Sequence, residues 1–376
     1  MLYYTCPECN QKGTSWNWCK RCNSKHFQND FNNWTSENDK IDKLIQDAQL
    51  NANYKWEVIE WISYDRFKDV KQIGKGGFGT IYYARWIDGF IGEWDIENQQ
   101  WKRWGENSEV ALKKFDNFVN FNDVLNEMEI HLKICIDIND TTSIKFYGIT
   151  QDPETHSYMM ILEYAKNGNL REYLKINFNN INWKLKLEHL CNLSLNLRNI
   201  HELDVVHQDF HPGNILSSSF KYKAIQISDF GLSKLIGANP NNPEKKNIVG
   251  VLPYVSPEVL SGDEEYTKAA DVYSFGIIAY GYKNDYEVLG CSKAEEFLTN
   301  QESTNTTTTK TAIPLNYQTH PQAIYTSRLL NFSNLPKPKN EENFERELEE
   351  LTKSMSNLCP TIELDDAHFF NVGYKN

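Results

Sequence analysis

Two polar residues in one short stretch of the chain, Asp209 and Asn214, are five positions apart. A carboxylate can accept the proton of an attacking hydroxyl group, and an amide oxygen beside it can bind a metal ion that neutralises phosphate charge. A second carboxylate, Asp229, follows an apolar segment and precedes Gly231, where the chain can turn sharply. These residue types at this spacing predict phosphoryl-transfer chemistry, with Asp209 as the base and with Asn214 and Asp229 as ligands of Mg²⁺.

The two motifs that carry these residues resemble those of the protein kinase superfamily. Residues 207–214 are similar to its catalytic loop, His-Arg-Asp-x-x-x-x-Asn, and residues 229–231 match its metal-binding Asp-Phe-Gly. Either motif alone could occur by chance, but their order and spacing make coincidence a poor explanation. The resemblance implies an α+β, bilobal fold with a small antiparallel sheet lobe and a mainly helical lobe. It also implies transfer of the γ-phosphate of ATP to a protein hydroxyl group, on serine or threonine rather than tyrosine.

A glycine-rich segment lies upstream, where Gly74, Gly76 and Gly79 have the G-x-G-x-x-G spacing of a nucleotide-binding loop. In a dinucleotide-binding fold such a loop leads into a helix. Here β-branched and aromatic residues follow, which predicts a loop between two antiparallel strands that covers phosphates from above. By resemblance, the nucleotide contacts are Gly74, Lys75, Gly76, Gly77, Phe78, Gly79, Ile81, Ala111, Lys113, Glu163, Ala165 and Leu216.

Lys113 ends an apolar segment that is typical of a strand directing a lysine into a cleft. Residues 122–134 place apolar side chains at helical spacing, which predicts a helix. By resemblance, Glu127 of this helix pairs with Lys113, so that the catalytic residues are Asp209, Lys113 and Glu127. Glu129, on the other side of the helix, is the alternative partner.

The connection between the lobes is also expected from the kinase pattern. Residues 158–165 change from apolar to polar, as the strand leading to the kinase hinge does. Backbone groups of Glu163 and Ala165 would then bind the adenine edge, and Leu162 would close the back of the pocket. A long segment with an apolar stripe, residues 183–203, predicts the helix that leads into the catalytic loop.

Two of the departures from the kinase pattern lie beside Asp209, and a third is Val251 in place of the usual threonine. Gln208 stands where regulated kinases have an arginine, so a phosphate on the activation segment would find no cation there. Residues 233–251 contain a single hydroxyl acceptor, Ser233. These features predict activity that is independent of activation-segment phosphorylation. His211 replaces the lysine that serine/threonine kinases have two positions after Asp209, and it supplies a charge only when protonated.

After Tyr280 the sequence loses its kinase character. An Asn/Thr-rich tract at residues 300–311 predicts a low-complexity, largely disordered tail with one acidic helix at residues 343–355. The lower lobe is therefore expected to be incomplete, and the alternative function is an ATP-binding pseudokinase or scaffold with weak or no transfer. Four apolar residues of the segment after Asp271 would then lose their cover: Val272, Phe275, Ile277 and Ile278.

Four of the eight cysteines form two Cys-x-x-Cys pairs near the N-terminus, with nine residues between them. Two thiolates at this spacing can bind one tetrahedral ion, so the predicted ligands of a structural Zn²⁺ are Cys6, Cys9, Cys19 and Cys22. His26 could replace one thiolate, and Trp16 and Trp18 are expected to cover the metal. Free surface thiols are the alternative, and a redox pair is less well supported because no thioredoxin-type pattern surrounds it.

Changes in composition divide the chain into four parts. These are a zinc knuckle at 1–26, a linker with a short helix at 27–66, the kinase-like domain at 67–280 and the tail at 281–376. The linker helix is expected to be capped by Thr35 or Ser36. The insertion at residues 87–107 is predicted to form a hairpin. This hairpin is expected to be a packing or docking surface and to take no part in catalysis.

Charge and hydropathy limit the classes of partner. A net charge of −12 argues against nucleic acid and against an anionic membrane surface. No apolar run approaches the ~18 residues of a membrane span. A cytoplasmic location is expected, with ATP and a protein substrate as partners and with protein docking through the zinc segment and the acidic helix.

Overall fold

The computed structural model describes residues 4–15, 17–76, 79–115, 121–137, 142–222, 224–235, 248–261, 266–283 and 328–330. All of them lie in one compact unit, Met1–Ser333. The predicted acidic helix at residues 343–355 lies outside the described residues. So do Trp16 and two members of the glycine-rich segment, Gly77 and Phe78.

Seven helices are described. They are α1 Lys20–Asp30, α2 Asp39–Asn51, α3 Phe121–Asp137, α4 Leu170–Asn177, α5 Trp183–Glu202, α6 Pro257–Leu260 and α7 Lys268–Lys283. Asparagine caps the first turn of three of them, because its side-chain oxygen accepts hydrogen bonds from backbone N–H groups that have no partner within the helix. These caps are Asn38 of α2, Asn169 of α4 and Asn182 of α5.

The start of α2 differs from the prediction. Asn38, and neither Thr35 nor Ser36, accepts from the backbone N–H groups of the first turn. The hydroxyl groups of Thr35 and Ser36 donate instead to the carboxylate of Asp42, within α2. This contact places the chain so that Asn38 is the residue next to the open N–H groups.

The strands form one larger sheet and several pairs. Their bounds are β1 Glu60–Trp61, β2 Phe67–Lys75, β3 Gly79–Trp86, β4 Phe90–Asp95, β5 Gln100–Trp104, β6 Ser108–Phe115, β7 Phe146–Gln151, β8 Tyr158–Glu163, β9 Val205–Val206, β10 Ile215–Ser219, β11 Ala224–Ile227, β12 Lys234–Leu235, β13 Ile248–Gly250 and β14 Arg328–Leu330. Among the described residues, six strands form a sheet in the order β1-β7-β8-β6-β3-β2. β1 is parallel to β7, and the other neighbours are antiparallel. The sheet therefore begins at Glu60, before the predicted domain start at Phe67.

Alternation along the strands buries both faces of this sheet, because successive side chains of a strand point to opposite sides. In β8, Met160 and Leu162 enter the core that contains Met128 of α3. Met159 and Ile161 enter a separate core on the other face. The predicted α+β fold with an antiparallel sheet lobe is confirmed, with one parallel strand at its edge.

The predicted hairpin in the insertion is also present, as β4 and β5, with Trp94 opposite Trp101. Its aromatic side chains pack against the N-terminal segment: Trp101 stacks on Phe27 with ring centroids 4.5 Å apart, and Trp94 stacks on His26 at 3.8 Å. The hairpin is therefore a packing surface for the cysteine-containing segment.

The lower lobe has one main core, built from α4, α5, α7 and the catalytic segment, which here means the chain from β9 through β11 to Phe230. Its buried residues include Leu170, Leu193, Leu197, Ile200, Phe210, Phe220, Phe230 and Ile278. The expectation that four apolar residues of α7 lose their cover is wrong for Ile278, which is 0% exposed. Phe275 and Ile277 pack against this core, and Val272 is 55% exposed. The difference arises because α5 and the catalytic segment already cover one side of α7.

Two parts of the predicted tail are regular elements. Helix α7 continues to Lys283, and β14, Arg328–Leu330, pairs antiparallel with β13. The remaining tail residues lie outside the described part of the chain. No helix within the described ranges has the length and apolar character needed to cross a membrane.

The burial of α7 generates a test by urea unfolding. Ile278→Ala should lower the free energy of unfolding by about 3 kcal/mol, because it opens a cavity in the lower core. Val272→Ala, on the exposed side of the same helix, should change it by less than about 0.5 kcal/mol. Equal losses for the two variants would show that the two sides of α7 are not buried differently.

Candidate active site

The site is organised around one buried ammonium group. Lys113, on β6, is 4% exposed, and its Nζ donates to the carboxylate of Glu127 on α3. The same Nζ donates to Oδ1 of Asp229 at 2.8 Å. A strand, a helix and the segment after β11 therefore meet at a single positive charge.

The charges in this cluster shift one another. Burial opposes ionisation of all three groups. The charges of Asp229 and Glu127 outweigh this effect for Lys113 and raise its pKa. Burial is likewise outweighed at Asp229, where Lys113 lowers the pKa to about 2. For Glu127, burial, aided by the charge of Asp229, raises the pKa to about 6.

Of the two glutamates predicted as partners of Lys113, the structure brings Glu127 into contact. It is 1% exposed, whereas Glu129 is exposed to solvent on the other side of α3. The apolar stripe predicted for this helix is buried beneath Glu127 and includes Val124, Leu125, Met128 and Leu132.

A tight hairpin brings Asn214 and Asp229 together. β10 begins directly after Asn214, and β11 ends two residues before Asp229, with Ile215 opposite Ile227. The backbone N–H of Ser228 donates to the carbonyl of Asn214 at 2.9 Å. Because this hairpin is antiparallel, the two predicted metal ligands lie at the same end of it.

The predicted base and the predicted metal ligand also contact each other. Nδ2 of Asn214 donates to the backbone carbonyl of Asp209 at 3.0 Å and to its Oδ2 at 3.2 Å. Since the amide nitrogen is used in this way, the amide oxygen of Asn214 is the atom that can face a metal ion. Amide and carboxylate oxygens from Asn214 and Asp229 form a donor set that suits Mg²⁺.

His211 lies beside the base. Its Nε2 is 3.6 Å from Oδ2 of Asp209, and its Nδ1 accepts from the backbone N–H of Gly213 at 2.9 Å. The residue that replaces the usual lysine therefore caps the turn that leads to Asn214 and lies next to the carboxylate of Asp209.

Asp271, at the start of α7, fixes the catalytic loop from below. This carboxylate is 1% exposed and accepts from the backbone N–H groups of His207 at 2.8 Å and Gln208 at 3.0 Å. Nε2 of His201 lies 2.9 Å from it. Gln208 has a φ of 67°, a strained conformation for a residue with a side chain. Sequence analysis gave Asp271 no role in the site, because no spacing signal links it to residues more than sixty positions away.

A line of rings connects α3 with the catalytic loop. Phe230 lies between His207 and His131, with ring centroids 5.1 Å and 4.7 Å away. His131 is completely buried, and neither ring nitrogen has a hydrogen-bond partner within the described residues. Burial lowers the pKa of His131 to about 3, so this ring is neutral and packs as an apolar group. Sequence analysis missed it because its spacing is that of an ordinary core residue.

The predicted nucleotide contacts lie along the strands next to Lys113. Ile81 of β3 is opposite Lys113, and Ala111 of β6 is opposite Leu162. Gly76 donates its backbone N–H to the carbonyl of Gly79 at 2.9 Å. β2 and β3 are antiparallel, so the glycine-rich segment joins two strands and does not open a helix.

Close packing explains the glycine at position 79. A Cβ atom there would lie 2.3 Å from the backbone carbonyl oxygen of Lys114.

The other predicted nucleotide contacts lie on several elements. Gly74 and Lys75 end β2. At the lower side of the site, Leu216 on β10 is partly buried and forms an isolated bridge with Asn169. Glu163 and Ala165 follow at the end of β8 and are both partly buried.

Ser233, the predicted acceptor of the activation segment, is not available at the surface. It is buried, and its hydroxyl group donates to the carbonyl of His207 at 3.0 Å. Phosphorylation of Ser233 would require this contact to open.

The four predicted zinc ligands form a separate cluster. The Sγ atoms of Cys6, Cys9, Cys19 and Cys22 all lie within 4.8 Å of one another. The Cys6–Cys22 and Cys9–Cys19 distances are both 3.8 Å. A tetrahedron with ~2.3 Å Zn–S bonds has edges of about 3.8 Å, so the four thiols fit one Zn²⁺.

The burial of this cluster bears on the alternative of free surface thiols. Cys6, Cys19 and Cys22 are buried, which contradicts the reading of four surface thiols. Nε2 of His26 lies 2.9 Å from Glu8, outside the four-thiol cluster. Trp18, which was expected to cover the metal, packs in a core with Phe27 and Ala52 and donates Nε1 to the carbonyl of Ala52 at 3.0 Å.

Comparison with known proteins agrees with the site. The profile described as protein tyrosine and serine/threonine kinase matches residues 40–326, so the chain belongs to the protein kinase family. The match begins before Phe67 and continues past Tyr280.

Individual relatives are more distant. A probable serine/threonine-protein kinase of Dictyostelium discoideum is 28% identical over 243 residues, which cover 63% of this chain and 23% of that protein. A probable serine/threonine-protein kinase of Arabidopsis thaliana is 28% identical over 220 residues, covering 56% and 52%. A tyrosine-protein kinase of Girardia tigrina is 24% identical over 220 residues, covering 58% and 39%. The chain thus covers about half or less of the length of these relatives.

The raised pKa of Glu127 predicts a pH dependence. Above about pH 6 the carboxylate is ionised and pairs with Lys113, and below it the neutral carboxyl group no longer attracts the ammonium. Phosphoryl transfer should therefore fall about tenfold from about pH 7 to about pH 5. The Glu127→Gln variant should lack this step and should keep, at all pH values, the low rate that the parent reaches near about pH 5. An unchanged pH profile in Glu127→Gln would assign the acid limb to another group.

Proposed function

We propose that this chain is an ATP-dependent protein kinase that transfers the γ-phosphate of ATP to a protein hydroxyl group. The observation that carries the proposal is the joint placement of two clusters. Lys113 is bound by Glu127 and Asp229, and Asp209 is bound by Asn214. The β10–β11 hairpin links the clusters, since it connects Asn214 to Asp229.

Each group has one task in this reaction. The ammonium of Lys113 binds the α and β phosphates, and Glu127 holds that ammonium in place. The oxygens of Asp229 and Asn214 would bind Mg²⁺. When bound, MgATP supplies the transferable group and the cation that neutralises its charge. Asp209 orients the substrate hydroxyl and accepts its proton, while Asn214 fixes the carboxylate of Asp209 through its amide nitrogen.

The alternative of a pseudokinase or scaffold is not favoured. Such a protein needs no assembled base, lysine and metal ligands, whereas here Asp209, Lys113, Asn214 and Asp229 are all held by specific contacts. The lower-lobe core around α5 is formed, and Asp271 fixes the catalytic loop.

Serine and threonine are proposed as the acceptors, because the Dictyostelium and Arabidopsis relatives bear that description. Activity without activation-segment phosphorylation is proposed as well, supported by Gln208 and by the buried Ser233. We further propose a cytoplasmic signalling role with ATP and a protein substrate as partners, and with neither nucleic acid nor membrane among them. The net charge of −12 supports the last point.

A structural Zn²⁺ bound by the four cysteines is also proposed, supported by the tetrahedral Sγ spacing. Docking of protein partners through this segment is a related proposal. A cavity of about 370 Å³ lies between the cysteines and the β4–β5 hairpin and is lined by residues of both. Its lining includes Trp94 and four carboxylates, those of Glu8, Glu93, Asp95 and Glu97.

Two substitutions test the proposed transfer. Asp209→Asn should lower kcat by about a hundredfold or more and should leave MgATP binding intact, because it removes the proton acceptor without a change of shape. Lys113→Met should weaken MgATP binding as well, since the phosphates lose their cation. The control is Asp204→Asn, whose carboxylate makes an exposed ion pair with Lys268. Transfer by Asp209→Asn at the parent rate would overturn the assignment of the base.

Metal analysis tests the zinc site. The purified protein should contain one Zn²⁺ per chain, and the double variant Cys19→Ser, Cys22→Ser should contain none, because two thiolates cannot hold a tetrahedral ion tightly. Cys191→Ser is the matched control, as Cys191 is an exposed free cysteine elsewhere in the chain. A parent protein without zinc would leave the four cysteines as thiols.

A further inference from the structure

Helix α3 carries Glu127, so the position of this helix decides whether Lys113 has its partner. The ion pair alone is a weak anchor for α3. Both groups are buried, and the cost of removing two charges from water roughly cancels their attraction. Packing elsewhere on α3 must therefore hold the helix against the sheet.

Part of that packing comes from the N-terminal segment. Ile41 and Ile45 of α2 are fully buried, and Ala48 is nearly so. They share one core with Val124 and Met128 of α3. Met128 follows Glu127 in the chain, so the core that α2 shares with α3 extends to the residue next to the ion-pairing glutamate.

Hydrogen bonds fix the chain at both ends of α2. Near its start, the hydroxyl of Tyr158 on β8 donates to the carbonyl of Ser36 at 2.9 Å. At its end, Nε1 of Trp18 donates to the carbonyl of Ala52 at 3.0 Å. A third contact reaches α3 itself, where Nζ of Lys40 donates to Oδ1 of Asn122 at 3.3 Å.

The hydrogen bond from Trp18 to Ala52 connects the end of α2 to the segment that carries the cysteine cluster. Trp18 directly precedes Cys19, the residue before α1. The ring of Trp18 stacks on Trp101 of the hairpin with centroids 5.9 Å apart. Ala52, Trp18 and Phe27 share a small core. The cluster and the hairpin thus fix the end of α2 that lies away from Tyr158.

We propose that α2, anchored by the cysteine cluster, is a built-in brace that holds α3 in the position where Glu127 contacts Lys113. Ile41 and Ile45 are then positioning residues for the transfer reaction, although neither reaches the site. The predicted effect of α2 on the transfer rate depends on the proposed kinase function. The predicted effect of α2 on the position of α3 does not depend on it.

A matched pair of substitutions in the full-length chain tests the brace. Ile45→Ala removes a brace residue. Ile62→Ala makes the same change at a buried position in the core on the opposite face of the sheet, away from α3. Amide hydrogen exchange of α3 should speed up about tenfold or more in Ile45→Ala and little in Ile62→Ala, with α5 unchanged in both. Tyr158→Phe, which deletes one hydroxyl and no core volume, should give a smaller rise in the same helix.

Kinetics provide a readout that a loss of stability alone would not give. Ile45→Ala should lower kcat/KM by about tenfold in the parent chain. In a Glu127→Gln background the same substitution should have no further effect, because the contact through which it acts is already lost. Ile62→Ala should have the same small effect in both backgrounds.

The outcomes separate the brace from the proposed function. Equal exchange rates in α3 for Ile45→Ala and Ile62→Ala, with no response to Tyr158→Phe, would overturn the brace, as would additive effects of Ile45→Ala and Glu127→Gln. If the parent chain showed no transfer activity but α3 showed the expected hydrogen-exchange pattern, the proposed function would be wrong and the brace would stand.

Discussion

The buried ammonium of Lys113 is the constraint on which the structure of the site depends. An ionised group in a protein interior needs oppositely charged and hydrogen-bonding partners, because it has lost its contacts with water. Lys113 obtains them from Glu127 and Asp229, which lie on a helix and on the segment after a hairpin. β6, α3 and the β10–β11 hairpin must therefore be assembled together, and the position of one charge links the sheet lobe to the segment that carries Asp229.

Such a cluster adds little net stability, so its geometry must come from the cores around it. Above the site, α2 and α3 share a core with one face of the sheet. Below the site, Asp271 binds the backbone of the catalytic loop and Phe230 packs between two histidine rings. Gln208 and Asp229 both have φ above 60°, and these strained conformations persist because charged and aromatic neighbours fix them. The catalytic residues are thus held by groups that do not themselves react.

Sequence analysis identified the residues whose roles are encoded in local spacing. Asp209, Asn214 and Asp229 belong to short segments. The strand of Lys113 and the helix of Glu127 were predicted from their apolar patterns, whereas the pairing of the two residues was implied by the resemblance to kinases. The four cysteines could be placed together because two residues between thiols suit one metal ion. The bilobal α+β fold followed from the same motifs, and the family match at residues 40–326 agrees with it.

Contacts between distant parts of the chain left no such signal. Tyr158 and Ser36 are 122 residues apart, and His207 and Asp271 are 64 apart. The pairing of β1 with β7 and the stacking of Trp101 on Phe27 are equally non-local. The cap of α2 was misplaced because Thr35, Ser36 and Asn38 are all good capping residues, and the choice among them depends on where Asp42 points. Sequence patterns describe what a residue can do, whereas tertiary packing decides which of the competing contacts forms.

Labelling of the protein with an ATP derivative that carries an acyl group on its terminal phosphate measures the role of Lys113 most directly. Such a reagent transfers its acyl group to a lysine amine next to the bound phosphates, and mass spectrometry locates the modified residue. Labelling should occur at Lys113, should be prevented by MgATP and should fall in Asp229→Asn, where a neutral amide replaces one of the carboxylates that hold the amine. Labelling spread over surface lysines, or labelling of Lys113 that MgATP does not reduce, would contradict the placement of this ammonium in the nucleotide site.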